Sequence, residues 1–353
     1  MSRKLNSISA VAALLGSSAI ADVPTVSVDI APLHSLVANV MKGVGVPNLI
    51  IPPGSSPHEH QLRPSEARAM QEADVFFRMG EGLTPWMESA VESLLTDASI
   101  TSFLDNEKTS LLEFREGALF EAHDHGDDHD DHDDDHDDHD DDHDDHDDDH
   151  DDHDDDHDDH DDDHDDHDDD HDDHDDDDDH GHGSHDPHAW LSPNNAKEWL
   201  NVIAAQLSSN DPDNAGAYFA NAASAQSQIE VAMTEINATL APHKGKKFVV
   251  FHDAYQYFEK DFDFPASGAI SMGDASDPSP ARIAEIQKRI SDEKIDCVLA
   301  EPQYKANVVQ TVMQGSQANT NVIDPLGVGL TPGPDLYNQL LRNMAKSLAN
   351  CFK

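Results

Sequence analysis

Only two cysteines, Cys297 and Cys351, occur in this 353-residue chain, and only 21 Lys and Arg stand against 74 Asp and Glu. Each shortage excludes something. Two cysteines so far apart are a poor zinc motif. A formal net charge of −53 argues against nucleic acid as a partner. No segment is apolar enough for membrane insertion. The chain also lacks a His-Glu-x-x-His helix and a G-x-S-x-G element, so the two commonest hydrolase signatures are missing.

Residues 1–21 have the three parts of an export signal. Arg3 and Lys4 are followed by a short apolar run from Ile8 to Ile20, and Ala19-Ile-Ala21 suits cleavage after Ala21. The run is too short and too rich in Ser and Gly to be an anchor, and no Cys follows it to carry a lipid. A soluble periplasmic protein is expected. In an exported chain an even cysteine count makes a disulfide the default, and closing that loop stabilises by about 4 kcal/mol in the chain-entropy picture.

Most of the charge lies in one place. Residues 123–186 hold 19 His and 41 Asp with no Lys, Arg or Glu, so this tract supplies −41 of the −53 and leaves −12 for the rest. Within it His129, His132, His136, His139, His143, His146, His150 and their successors to His174 alternate spacings of three and four. That heptad would place them on one helical face. Aspartate is a weak helix former, its charges repel at i,i+4, and nothing apolar offsets the ordering entropy, so disorder without metal is expected. As a linker the tract needs only its Asp, and the regular imidazoles point to weak metal binding. Calcium is the lesser reading, because Gly-containing calcium-loop spacing is absent.

Removing signal and tract leaves 268 residues, enough for two α/β lobes. Short β-branched runs at 25–30, 48–51, 74–79 and 100–103 alternate with helical stretches at 33–41, 65–72 and 85–95, the rhythm of parallel α/β architecture. After the tract, Ser192 and Pro193 open a helix to about residue 207. Asp211-Pro212 starts a long one whose apolar spine runs Tyr218, Ala222, Ala225, Ile229, Ala232 with Met233, Ile236, Leu240. Strands are expected again at 247–251, 297–300 and 321–323, with helices at 280–290 and 335–350. The domain plan is an N-terminal lobe over 22–210, a linker helix over 211–241 and a C-terminal lobe over 242–353.

Six histidines lie outside the tract, at 34, 58, 60, 188, 243 and 252. His252 follows a strand, where loops at carboxyl ends form the ligand crevice of an open α/β sheet. His58 follows the second strand, and His188 leads from the tract into a helix. Three imidazoles from three loops suit zinc with a fourth position open. Spacing alone leaves scattered surface histidines equally possible, and His34 and His243 are read as surface or capping residues.

The segments Pro57 to Ser65 (PHEHQLRPS), His188 to Pro193 (HAWLSP), Phe251 to Phe258 (FHDAYQYF), Ala300 to Tyr304 (AEPQY) and Ile323 to Gly327 (IDPLG) resemble the ligand segments of the periplasmic zinc receptors of ABC importers, within the metal-binding solute-binding protein family. The resemblance spans the mature chain in the same order, with the His-rich insertion before the second ligand. It implies two mainly parallel four-stranded α/β lobes joined by one rigid helix, with Zn2+ in the cleft and the two cysteines paired. It also implies His58, His188 and His252 as ligands, with Asp324 or water in the fourth place. A manganese member usually presents a carboxylate where His252 stands, and the oxygen preference of Mn2+ agrees with that. His60 departs from the pattern and is read as solvent-facing or on the way in. Glu301, at a strand end, is expected behind a ligand or as a helix cap.

The expected function is a monomeric zinc receptor that delivers to an ABC permease in the inner membrane, with the tract as low-affinity collector or sensor. The alternatives are a periplasmic zinc buffer or metallochaperone, a receptor for manganese or another divalent metal, and a zinc hydrolase, which is set aside.

Overall fold

Each of two parallel sheets is built from short β-branched runs separated by helices. The computed structural model describes residues 23–115, 120, 185–271, 278–304 and 306–353. The expected signal, and the tract up to residue 184, lie outside them. The first half contains β1 (Val26–Val28), α1 (Ala31–Val40), β2 (Asn48–Leu49), α2 (Pro64–Gln71), β3 (Val75–Arg78), α3 (Glu88–Leu94), β4 (Ser99–Ser102) and α4 (Pro193–Asn210). The long α5 (Ala215–Leu240) leads to β5 (Phe248–His252), α6 (Gln256–Phe262), β6 (Ala269–Ser271), α7 (Pro280–Asp292), β7 (Cys297–Ala300), α8 (Ala306–Val312), β8 (Asn319–Val322) and α9 (Leu336–Cys351).

The strand orders are β2-β1-β3-β4 and β6-β5-β7-β8, all parallel. The order reverses at β1/β3 in the first sheet and at β5/β7 in the second, which places a crevice at the carboxyl ends of those pairs. Two short helices and a strand escape the sequence pattern: α6, α8 and β6. Each is seven residues or fewer, too short to show a period against flanking turns. The expected helix at 85–95 opens instead as a 3-10 turn, Pro85–Met87.

Side-chain alternation decides where the core sits. In β5, Phe248 and Val250 join the main apolar cluster, while Val249 and Phe251 join a smaller one with Ile286, Ile290, Val298 and Val312 under α7 and α8. The main cluster runs without a break from Val28 and Phe77 through the α5 spine to Leu299 and Leu341. Helix α5 is about 39 Å long at 1.5 Å per residue. It is no free strut, because it packs along α1, α4 and α9.

Buried hydrogen bonds add to that join. Tyr337 N donates to Ser35 Oγ (3.0 Å), Ser35 Oγ donates to Pro334 O (3.1 Å), and Trp190 Nε1 donates to Pro325 O (2.9 Å). The disulfide Cys297–Cys351 fastens the start of β7 to the end of α9. His34, expected at the surface, is instead buried at 5 % exposure, with Nε2 3.0 Å from Pro47 O. It sits on α1, all ten of whose residues are buried, and burial lowers its pKa. His243 stays half-buried beside Phe352. Among the described residues no helix is long and apolar enough to cross a membrane.

Candidate metal centre

Three chain segments deliver imidazoles to one small cavity. His252 is the last residue of β5, at the switch point of the second sheet. His188 precedes the 3-10 turn Ala189–Leu191, after which Ser192 Oγ caps α4 by accepting from Asn195 N. His58 comes from the loop after β2, held by Trp86 Nε1 donating to Pro57 O (2.6 Å) and by its own N donating to Ser56 Oγ (3.2 Å). His188 and His252 are buried and His58 is half-buried. The three line a cavity of about 10 Å³ together with Trp190, Glu301 and Tyr304. That is room for one water-sized occupant.

Nε2 of His58 lies 3.3 Å from Nε2 of His188. Two nitrogens bound to one tetrahedral zinc at about 2.0–2.1 Å stand about 3.3–3.4 Å apart, so this pair already has the ligand separation. The ring of His252 packs as closely on His188, its centroid 5.2 Å away against 5.3 Å for that of His58. Among the described residues no group of three or more His, Cys, Asp or Glu side chains is a ready-made cage for an ion.

Two of the rings are oriented by carboxylates. His188 Nδ1 is 2.7 Å from Asp186 Oδ1, and His252 Nδ1 is 2.7 Å from Glu301 Oε1. With Nδ1 as donor in each, Nε2 is the basic nitrogen of the ring, and the carboxylate raises that basicity. Glu301 therefore stands behind the ring of His252. Asp186 is the partner that sequence reasoning missed. It was counted into the tract, whose assignment as free chain through residue 186 is corrected here: Asp186 is 1 % exposed, and His185 pairs with Glu113 in an antiparallel bridge. The signal was a carboxylate two residues before a histidine. Burial pushes the Asp186 carboxyl up to about 7, against the His188 backbone N–H and the Arg115 charge.

Two other expected site residues are placed differently. His60 does not face solvent. It is buried at 8 % exposure, its Nε2 lies 2.9 Å from Glu66 Oε2, and its ring meets Trp86 edge-on. Glu66 of α2 and Trp86 of the 3-10 turn cover it. Asp324 is outside the lining of the cavity. Its Oδ1 accepts from Leu326 N and Gly327 N, and its Oδ2 from Val328 N. This turn requires φ +81° at Gly327, a conformation glycine adopts freely. The paired Cys297 and Cys351 lie elsewhere, and the tract histidines expected to bind metal, His129 to His150 among them, are outside the described residues.

Known proteins are similar to this chain. The family described as ZnuA, zinc-uptake complex component A, periplasmic, matches residues 26–351. The chain is 42 % identical over 341 residues to the high-affinity zinc uptake system protein ZnuA of Brucella abortus (strain 2308), covering 97 % of this chain and 95 % of the relative. It is 44 % identical over 345 residues to the protein of the same name from Paracoccus denitrificans (strain Pd 1222), covering 97 % and 96 %. A crystal structure of a ZnuA superposes with TM-score 0.67 at 18 % identity over 94 % of this chain and all of that one, a likeness of fold.

Proposed function

This chain belongs to the ZnuA family of periplasmic zinc-uptake components, and from that premise we propose that it captures one Zn2+ between His58, His188 and His252 and delivers it to an ABC permease. Zinc is the cargo. The three Nε2 atoms are the ligands, water fills the fourth place, and Asp324 keeps its role in the turn. The observation that carries the reading is the His58–His188 separation of 3.3 Å. The ring of His252 lies 5.2 Å from that of His188 by centroid and is already oriented by Glu301. Three neutral nitrogens favour zinc over manganese, which prefers oxygen. A cavity of about 10 Å³ fits an ion and has no room for an ester or peptide substrate, which supports a receptor over a hydrolase.

The signal at 1–21 directs export with cleavage after Ala21, and the chain works as a monomer. The tract through residue 184 gathers further zinc weakly, His129, His132, His136, His139, His143, His146 and His150 among its ligands, and raises the local concentration at the cleft. The alternative, a zinc buffer whose working part is the tract, is separated by one experiment. Calorimetric zinc titration of the mature protein is run beside deletion of 123–184 and beside His252→Ala. One tight site that survives the deletion and weakens more than about 100-fold in His252→Ala is expected, since even residues behind a ligand are worth about 10–100-fold. Tight binding that disappears with the tract and ignores His252→Ala would overturn the cleft.

A further inference from the structure

Arg115 is a half-buried cation with an unusual set of partners. It precedes the tract in sequence and reaches across to the second half of the molecule. Its Nε and Nη2 donate to the two oxygens of Asp253 (3.1 and 2.5 Å), and its Nη1 and Nη2 donate to the two oxygens of Glu259 (2.8 and 3.0 Å). Both carboxylates are 5 % exposed at the side chain. The outer face of the guanidinium is covered by the ring of Phe120, 3.6 Å from its centroid. One planar fork thus serves two carboxylates at once, a geometry an ammonium cannot reproduce.

What those partners do connects Arg115 to the cleft. Asp253 directly follows His252. Glu259 lies on α6, whose Gln256 Nε2 donates to Glu113 O and whose Tyr257 OH donates to Asp186 O (2.7 Å). Tyr257 OH also accepts from Leu112 N (3.0 Å). Asp186 in turn orients His188. The segment 112–115, α6 and residues 185–188 therefore form one hydrogen-bonded plate, with a ligand histidine at each of two edges. Arg115 supplies the fixed charge that holds it flat against buried carboxylates.

We infer that Arg115 is a positioning residue for the zinc cleft: by gripping Asp253 and Glu259 together it sets the distance between His252 and His188. The inference rests on the cleft reading above. It makes the charge of Arg115 necessary but insufficient, since the two-carboxylate geometry is what fixes the ligand spacing.

The test uses the full mature chain with Arg115→Gln, Arg115→Lys and His252→Ala. Tight-site zinc affinity is read by chelator competition, ligand geometry by the visible absorption of Co2+ loaded at one equivalent, and fold by thermal melting. Arg115→Gln should weaken the tight site about 10–100-fold, as loss of a residue behind metal ligands does, and alter the Co2+ spectrum. Arg115→Lys should recover most of the melting temperature while remaining at least about fivefold weaker for zinc, because it restores charge without the fork. Zinc affinity within twofold of the parent in Arg115→Gln, or complete recovery of affinity and spectrum in Arg115→Lys, would overturn the inference. If Arg115→Gln has no cooperative melt, Arg115→Lys decides by the same fivefold mark. His252→Ala keeps the two readings apart. Loss of zinc there with none in the Arg115 variants defeats only this inference, and unchanged zinc there defeats the cleft.

Discussion

The two sheets have the same strand order and each has a carboxylate at its switch point, after the earlier strand of the pair in the first and after the later strand in the second, yet they use it for opposite ends. In the first, Asp29 follows β1 at the switch point. Its Oδ2 accepts from Met79 N beyond β3 (2.6 Å) and its Oδ1 from Ile30 N (2.6 Å). In the second, His252 ends β5, and Glu301 beyond β7 accepts from its ring. One crevice is sewn shut by backbone N–H groups, and the other keeps a side-chain acceptor aimed at an imidazole. The same topology thus serves as scaffold on one side and as holder of a cavity histidine on the other. The first half contributes its cavity histidine, His58, from the loop after β2 instead, steadied by Trp86 and by the buried His60–Glu66 contact. A switch point is an opportunity for a site, and the residues placed there decide whether it is taken.

The widest break in this comparison should come from the disulfide, which only the second half has. Replacing Cys297 and Cys351 by Ser frees a loop of 54 residues and should cost about 4 kcal/mol in the chain-entropy picture, read as a lower urea midpoint with tight-site zinc affinity unchanged. A cost below about 1 kcal/mol would mean that packing, with Asn319 Nδ2 on Cys351 O and Asn321 Nδ2 on Ser347 O (2.8 Å each), already secures α9 to β8. The next effect belongs to the first half. Burial raises Asp29 to about 6, partly offset by its two backbone N–H bonds and by Arg78. The folded protein therefore holds this proton to higher pH than the unfolded chain does. Its stabilising contribution is full below about pH 4 and is lost as pH rises through about 6, by up to about 3 kcal/mol. Urea melts at pH 4.5 and 6.5 should show the stability of the parent relative to Asp29→Asn falling over that interval. A difference that stays flat or rises would mean that Asp29 is ionised throughout.

The sequence displayed whatever repeats or stands beside a strong punctuator. The α5 spine is buried at each expected position from Tyr218 to Leu240 except Met233, which is half-buried, because a 26-residue helix gives the 3.6-residue period many turns to declare itself. Ser192-Pro193 marked α4 for the same reason a cap always does: the chemistry is local. The three histidines that meet at the cavity were named in advance, two from strand ends and one from a helix start. What stayed hidden was the choice of partners. Asp186 looked like one more aspartate of the tract, although its partner His188 is only two residues on. Nothing in the sequence singled out Arg115: its partners Asp253 and Glu259 are chosen by the fold, and no spacing encodes a contact across 138 residues. His60 misled for the opposite reason, since alternation tells which way a side chain points but not whether another element covers it.

The finest division between the two halves is made by one change at Glu301. Glu301→Gln keeps the shape of the side chain and a carbonyl oxygen that can accept from His252 Nδ1, but removes the charge. The first expectation is a tight site weaker by about tenfold, the low end for residues behind a metal ligand, because His252 loses the anion that makes it a better donor to zinc. The second is that the zinc-free protein melts no lower than the parent, because a carboxylate 4 % exposed is exchanged for a neutral amide and burying charge is the costlier state. Asp29→Asn should do the reverse, altering stability with pH and leaving the zinc affinity of the folded protein alone. If Glu301→Gln lowers melting as much as it lowers affinity, then Glu301 is a strap like Asp29. The two switch points would then do the same work, and the orientation of His252 would have to come from the β5 backbone and the Arg115 plate.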